Sequence, residues 1–172
     1  MSKILIVSIS LFLSLNLYSQ TNLDSLYAVW EDESQTVSKR AEAYNAYVYY
    51  GYLFSQPDSA YFLLEQLIDF AKAKEEPAFE ALAYNTQGES LYLRGELSNA
   101  LENYNNAMEI YDSLSNEWGM ANSLINIGNI YINQADYSTA LEYFEKSLEK
   151  YESIDFKNGV ANSLSNIGLV YD

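Results

Sequence analysis

The chain has 172 residues, of which 49% are hydrophobic and 15% aromatic, so it has enough apolar material for a folded core and is not a disordered protein. Its formal net charge of −15 at pH 7 repels the phosphates of nucleic acid and the headgroups of anionic lipid, which excludes a nucleic-acid-binding role. It contains no histidine and no cysteine, which excludes the usual zinc ligand sets and the serine–histidine and cysteine–histidine catalytic pairs.

Residues 1–19 differ in character from the rest of the chain. Lys3 gives a short basic start, the run from Ile4 to Tyr18 is mostly apolar, and no other charge appears before Asp24. This run is short for a membrane span and has the length of a secretory h-region. The sequence therefore predicts a signal peptide over residues 1–19 and an exported protein, periplasmic or otherwise extracytoplasmic. The alternative is an N-terminal anchor that is not cleaved.

Residues 20–35 are predicted to form a capping helix followed by a turn. Its large apolar residues are spaced as one helical face: Leu23, Leu26, Tyr27 and Trp30. An acidic stretch, Glu31 to Glu33, comes directly after this face. We expect this leading helix to cover the first unit of the repeats that follow.

From residue 36 onward, the sequence repeats at a step of 40 residues. The step is carried by small residues: Gly88, Gly128 and Gly168, and Ala60, Ala100 and Ala140. Residues 119–132 and 159–172 are identical at nine of fourteen positions. A step between about 20 and 50 residues is typical of a solenoid, in which each unit buries its apolar face by stacking on a neighbour.

Each unit is predicted to be a pair of helices. The first helices are expected to begin near Ala41, Ala81, Ala121 and Ala161, and the second helices near Asp58, Glu96 and Asp136. Pro57 and Pro77 stand at expected helix openings, where the missing N–H costs nothing. Glycine inside a helix costs about 1 kcal/mol of helix stability relative to alanine. Because glycine nevertheless recurs at the position of Gly128 in successive units, we predict that the second helix approaches closely there. Gly119 and Gly159 are expected to lie between units.

These positions resemble those that define the tetratricopeptide repeat family, over residues 36–172. The third unit matches the signature of both helices with Gly128, Tyr131, Ala140 and Phe144. The second unit has Leu91 in place of the aromatic residue, and the first is degenerate because Val48 stands where the glycine should be. The 40-residue step is similar to that of the longer-looped subclass, whose Asn-Leu-Gly-Asn motif is here Asn126 to Asn129.

The resemblance implies an all-α fold, a right-handed α-solenoid of antiparallel helix pairs behind the signal peptide. The expected boundaries are 36–76 for a degenerate first repeat, 77–116 for the second, 117–156 for the third and 157–172 for the first helix of a truncated fourth. Leu164, Ile167 and Tyr171 would then expose an apolar face. We therefore expect the natural protein to continue beyond residue 172; the alternative is that this face pairs with another copy.

A polar stripe on the first helices is the candidate binding site. Asn122, Asn126, Asn129 and Asn133 lie at i, i+4, i+7 and i+11, so they share one helical face. Equivalent positions in the other units are held by Asn162, Asn166, Glu89, Thr86 and Tyr49. In the family the first helices line a concave groove, where asparagine can both donate to and accept from a peptide backbone. The alternative is exposed polar filler or contacts between neighbouring helices.

The resemblance therefore implies a non-catalytic scaffold that binds a protein or peptide segment without metal, small-molecule cofactor or nucleic acid. Contact with a membrane is expected only through an anchor outside these residues. A weaker resemblance, over Leu23–Trp30 and Gly51–Ala60, is to exported bacterial repeat proteins. In these the array is the N-terminal sensory region of a signalling enzyme, a nucleotide cyclase or a histidine kinase. That alternative function places the catalytic part beyond residue 172.

Overall fold

A computed structural model describes residues 22–171, which contain helices and turns and no β-strand. Helix α1 covers residues 22–31. The later helices are α2 (Val37–Val48, continued by a π-helical turn, Tyr49–Leu53), α3 (Pro57–Ala73), α4 (Pro77–Leu93), α5 (Leu97–Ser113), α6 (Glu117–Asn133), α7 (Tyr137–Ser153) and α8 (Lys157–Tyr171). The predicted all-α fold is confirmed. The predicted signal peptide, residues 1–19, lies outside the described residues, and none of the helices within them is long and apolar enough to cross a membrane.

The helices from α3 onward begin every 20 residues, at positions 57, 77, 97, 117, 137 and 157. The turns between them share one conformation, in which the middle residue has a positive φ of 51° to 78°: Glu75, Gly95, Ser115, Ala135 and Asp155. The amide of the next residue bonds to the carbonyl five residues back, as in Glu96 N to Leu91 O at 2.9 Å. This is a Schellman closure of each helix. The 40-residue repeat is therefore built from two halves of equal length.

The first helices begin four residues earlier than the sequence predicts, as in α6, which begins at Glu117 rather than near Ala121. Pro57 and Pro77 do occupy the first turns of α3 and α4, as predicted. In α6 the Asn116 side chain accepts a hydrogen bond from Gly119 N, at 2.9 Å, and so starts the helix ahead of the first buried apolar residue. Hydrophobic periodicity marks only the buried turns and for this reason places the start late.

Neighbouring helices pack in sequence along the array, and the first helices of successive units also touch one another. Within residues 22–171, α2 contacts α4, α4 contacts α6 and α6 contacts α8, whereas no comparable contact joins α3 to α5 or α5 to α7. The first helices are therefore closer together than the second helices. Because the closer side of a curved array is its inner side, the first helices form the concave face.

Glycines set the distance between packed helices. A Cβ added at Gly88 would lie 2.5 Å from the Tyr104 ring, and one added at Gly128 would lie 2.5 Å from the Phe144 ring. The predicted close approach at Gly128 is thus confirmed. Gly119 and Gly159, which were expected between units, instead lie in the first turns of α6 and α8. There they face the rings of Tyr111 and Tyr151 on the preceding helix.

Helix α1 packs against the first helix pair through aromatic rings. The Trp30 ring stacks on Tyr44 with centroids 4.2 Å apart and meets Phe70 edge-on at 4.6 Å. Arg40 donates from Nε to the Trp30 carbonyl oxygen at 2.8 Å and lies over both the Trp30 and Phe70 rings. These contacts join α1, α2 and α3 into one cluster at this end of the array.

Candidate functional site

The first-helix groove is an open groove of about 350 Å³ on the concave face, between the π-helical turn and helices α4, α6 and α8. Its polar lining consists of four asparagines and one carboxyl group: Asn126, Asn129, Asn162, Asn166 and Glu89. Each of these residues was predicted from the sequence. The amides come from two successive first helices, so the array brings together side chains that are about 40 residues apart in sequence.

The apolar lining of the first-helix groove is mainly aromatic. Tyr49 and Phe54 come from the π-helical turn and its end, Tyr92 from α4, and Tyr104 reaches the groove from α5 past Gly88. Phe54 is 68% exposed although it is a large apolar side chain. A π-helical turn contains one residue more than an α-helical turn, so it changes the direction in which the residues after it, including Phe54, face. Tyr49 was predicted as a site residue, whereas Phe54 was not.

Three of the predicted site residues do not line the first-helix groove. Asn122 donates to the Trp118 carbonyl oxygen of its own helix at 3.1 Å. Asn133 is exposed and donates to the hydroxyl of Tyr92. Thr86 is buried between α2 and α4, where its hydroxyl donates to Asn45 Oδ1 at 3.1 Å.

Polar bonds link the first helices to one another beneath the groove. Ser123 of α6 donates to Asn85 Oδ1 of α4 at 3.0 Å, just as Thr86 of α4 bonds to Asn45 of α2. Asn126 also donates to Glu89 Oε1, at 3.4 Å. Contacts between neighbouring helices, the alternative interpretation of the stripe, therefore account for some of its members. Asn45 and Asn85 were missed, although their 40-residue spacing is a signal that could have found them.

Glu89 is the carboxyl group at the centre of this arrangement. It is largely buried, and burial raises its pKa from the usual 4.5 to about 7, while the hydrogen bond from Asn126 opposes the rise. Its Oε1 also lies 3.5 Å from the Asn85 amide nitrogen, so both of its bonds are long. Glu89 is therefore divided between its neutral and charged forms near neutral pH.

Tyrosines around Glu89 keep their protons at neutral pH. The pKa values of three of them are raised: Tyr49, Tyr104 and Tyr111. Burial is the larger cause, and the negative charge of Glu89 is the next. They are thus neutral phenols that can donate hydrogen bonds or offer a ring face. Within residues 22–171 no group of three or more acidic residues is placed to hold a metal ion. The groove can bind through amides, one carboxyl group and rings.

A second and larger cavity, of about 800 Å³, lies on the opposite side of the array between α3 and α5. Its walls carry acidic groups and one cation, including Glu65, Asp69, Glu102 and Arg94. Arg94 is already paired with Asp58 at 3.0 Å. Of the two predicted site residues on α4, Thr86 lines neither cavity and Glu89 lines the first-helix groove.

Comparisons with known proteins identify the family. The model of the tetratricopeptide repeat matches residues 79–153 and 119–172, which together cover more than half of the chain. No curated protein matches the sequence. Among solved structures, the chain is similar to BtubC (BKLC) from P. vanneervenii, with a TM-score of 0.66 and 17% identity over 87% of this chain. This chain spans 62% of that one, and at this identity the likeness concerns the fold alone. The chain belongs to the tetratricopeptide repeat family.

Proposed function

We propose that the first-helix groove binds an extended peptide segment of a protein partner and that no chemistry follows. The convergence of four asparagine amides from α6 and α8 on one groove carries this proposal. An extended peptide presents alternating N–H and C=O groups, and an amide side chain can pair with both, whereas a carboxylate can only accept. Tetratricopeptide repeats are generally non-catalytic scaffolds that bind proteins or peptides, which favours the same conclusion.

The groove amides are available to a ligand at little cost. Asn126 and Asn166 each make one side-chain bond of 3.4 Å, to Glu89 and Asn162 respectively, and such long bonds are readily exchanged. The rings of Tyr49 and Phe54 line the same groove and can contact the apolar side chains of the segment. Backbone bonds would supply affinity, and the rings would supply selectivity for particular side chains.

The test is to replace Asn126, Asn129 and Asn166 together by alanine. We expect the triple variant to lose at least about tenfold in binding to an array of random peptides of about twelve residues, because each lost amide removes a bond pair worth roughly 1 kcal/mol. Fluorescently labelled chain applied to the array measures this, and circular dichroism shows whether the variant keeps its helicity.

The matched control replaces three asparagines outside the first-helix groove by alanine: Asn99, Asn105 and Asn158. These side chains are exposed on α5 and α8, so the control makes the same chemical change without touching the groove. Its binding should equal that of the unchanged chain. Equal array binding by the groove variant and the control would contradict the proposed function.

A further inference from the structure

The first-helix groove has an acidic character. Glu89 lines it, and no lysine or arginine among residues 22–171 does. Within residues 22–171 the basic side chains that form ion pairs do so elsewhere, in the pairs Lys72–Glu80, Arg94–Asp58, Arg94–Glu96 and Lys150–Glu117. The chain as a whole carries a formal net charge of −15, which adds to the attraction of this groove for a positive group.

Glu89 is held in a position that suits a cationic partner. Its Oε1 receives two long amide bonds, from Asn85 at 3.5 Å and Asn126 at 3.4 Å, and neither donor brings a charge. A largely buried carboxylate without an opposite charge is costly, and burial accordingly raises the pKa of Glu89 to about 7. A cation that entered the groove with the ligand would remove this cost.

We propose that the groove accepts an arginine side chain of the bound peptide, with its guanidinium group paired to the carboxylate of Glu89. The planar guanidinium carries five N–H donors in a fork that matches a carboxylate. Asn126 and Asn129 line the same groove and carry amide oxygens that can accept from the remaining donors, and the rings of Tyr49 and Tyr92 also line it, which suits cation–π contact. The inference rests on the proposed function and names the side chain that the groove selects.

Arginine binding is then coupled to the charge of Glu89. The negative charge of Glu89 raises the pKa of three tyrosines, which are Tyr49 of the π-helical turn and Tyr104 and Tyr111 of α5. All three therefore stay neutral near pH 7. From α6 Glu89 meets the neutral amide of Asn126. Glu89 is thus the group that titrates, and its charged form binds arginine. Affinity should rise roughly tenfold from pH 6 to pH 8, since a group with a pKa of about 7 becomes about ten times more ionised over that interval.

The experiment titrates the chain with N-acetyl-arginine N-methylamide and follows the side-chain carboxyl carbon of Glu89 by NMR. We expect the probe, at about 10 mM, to lower the pKa of Glu89 by at least about one unit, as an opposite charge at close range does. The citrulline analogue, which has the same shape and no charge, should leave that pKa unchanged. The Glu89→Gln variant identifies the carboxyl signal, because only that signal disappears from its spectrum. An equal effect of the arginine and citrulline probes, or no effect of either, overturns the proposal.

The random-peptide array separates this proposal from the proposed function. We expect arginine to be enriched among peptides that bind the unchanged chain and not among peptides that bind the Glu89→Gln variant. Peptide binding without arginine enrichment overturns the arginine proposal and leaves the proposed function standing. Absence of any binding that depends on the groove asparagines overturns both.

Discussion

At the scale of single residues, Glu89 is the place where binding and stability oppose one another. In the folded chain, burial raises its pKa from 4.5 to about 7, so its charged form is disfavoured by the fold. The unfolded chain has no such penalty. The stability contributed by the neutral carboxyl group is therefore fully present below about pH 4.5 and is lost as the pH rises through about 7.

Replacing Glu89 by glutamine should accordingly change the pH dependence of stability. The glutamine keeps the acceptor for Asn126 and never ionises, so we expect the variant to be more stable than the unchanged chain by roughly 1–3 kcal/mol at pH 8. At pH 5 the gain should be much smaller, because the folded carboxyl group is then neutral. Urea unfolding followed by circular dichroism at both pH values measures the two differences.

The control for this change is Glu145→Gln on α7, where the side chain is exposed. Its effect on the free energy of unfolding should be small at both pH values, since an exposed carboxyl group changes its environment little on folding. A gain at pH 8 that is the same in both variants would mean that burial does not set the pKa of Glu89.

At the scale of helices, glycine facing an aromatic ring is the contact that fixes how closely a first helix approaches its neighbours. Replacing Gly128 by alanine places a Cβ 2.5 Å from the ring of Phe144, which is itself 1% exposed and cannot move aside freely. The overlap should outweigh the better helix propensity of alanine and destabilise the chain by about 1–3 kcal/mol. Thermal and urea unfolding measure the loss.

Gly168 offers a matched control, because it holds the equivalent position in α8 and no described atom lies within 4 Å of its added Cβ. Gly168→Ala should leave stability unchanged or raise it by up to about 1 kcal/mol, which is the helix-propensity gain alone. If both alanine variants lost the same stability, the ring contact could not be the reason that glycine stands at Gly128.

Much of this helix packing could be predicted from the sequence, and the remainder has identifiable causes. The 40-residue spacing of Gly88, Gly128 and Gly168 predicted helix pairs and the gap at Gly128, because a costly residue that recurs inside helices implies a contact. The 20-residue half-step was hidden, since the equivalent turn residues are as different as Glu75, Gly95 and Ala135. A positive φ disfavours residues other than glycine by only about 1–2 kcal/mol. Residues of different types can therefore occupy the same turn position, and the sequence shows no common residue there.

The candidate site was predicted in part for a related reason. The helical period placed Asn126, Asn129, Asn162 and Asn166 on one face, and they do line one groove. The same period could not show that Thr86 is covered by α2, because burial between first helices depends on which neighbour stands beside each face. The helical period also could not predict the π-helical turn that precedes Phe54, which lines the groove.

At the scale of the whole molecule, the helices of residues 22–171 contact their neighbours along the array and form no single central core. Their buried residues form separate clusters, one around Tyr44 and Leu64, others around Tyr104 and Phe144. In such an array the stability of each helix depends on the neighbours it touches, so opening need not be uniform along the chain. Helix α4 packs between α3 and α5 and also meets α2 and α6, whereas α8 contacts α7 and α6 in the described structure.

Amide hydrogen exchange of the 172-residue chain should reveal this gradient. We expect the amides of α8 to exchange through openings that cost several kcal/mol less than those of α4, because α8 leaves Leu164, Leu169 and Tyr171 between 52% and 73% exposed. In the Gly128→Ala variant, protection should fall further in α6, α7 and α8 than in α2 and α3, since the disturbed contact lies between α6 and α7. Uniform protection across the helices, falling equally everywhere in the variant, would show that the chain unfolds as one cooperative unit. In that case the separate buried clusters would not differ in the free energy at which they open.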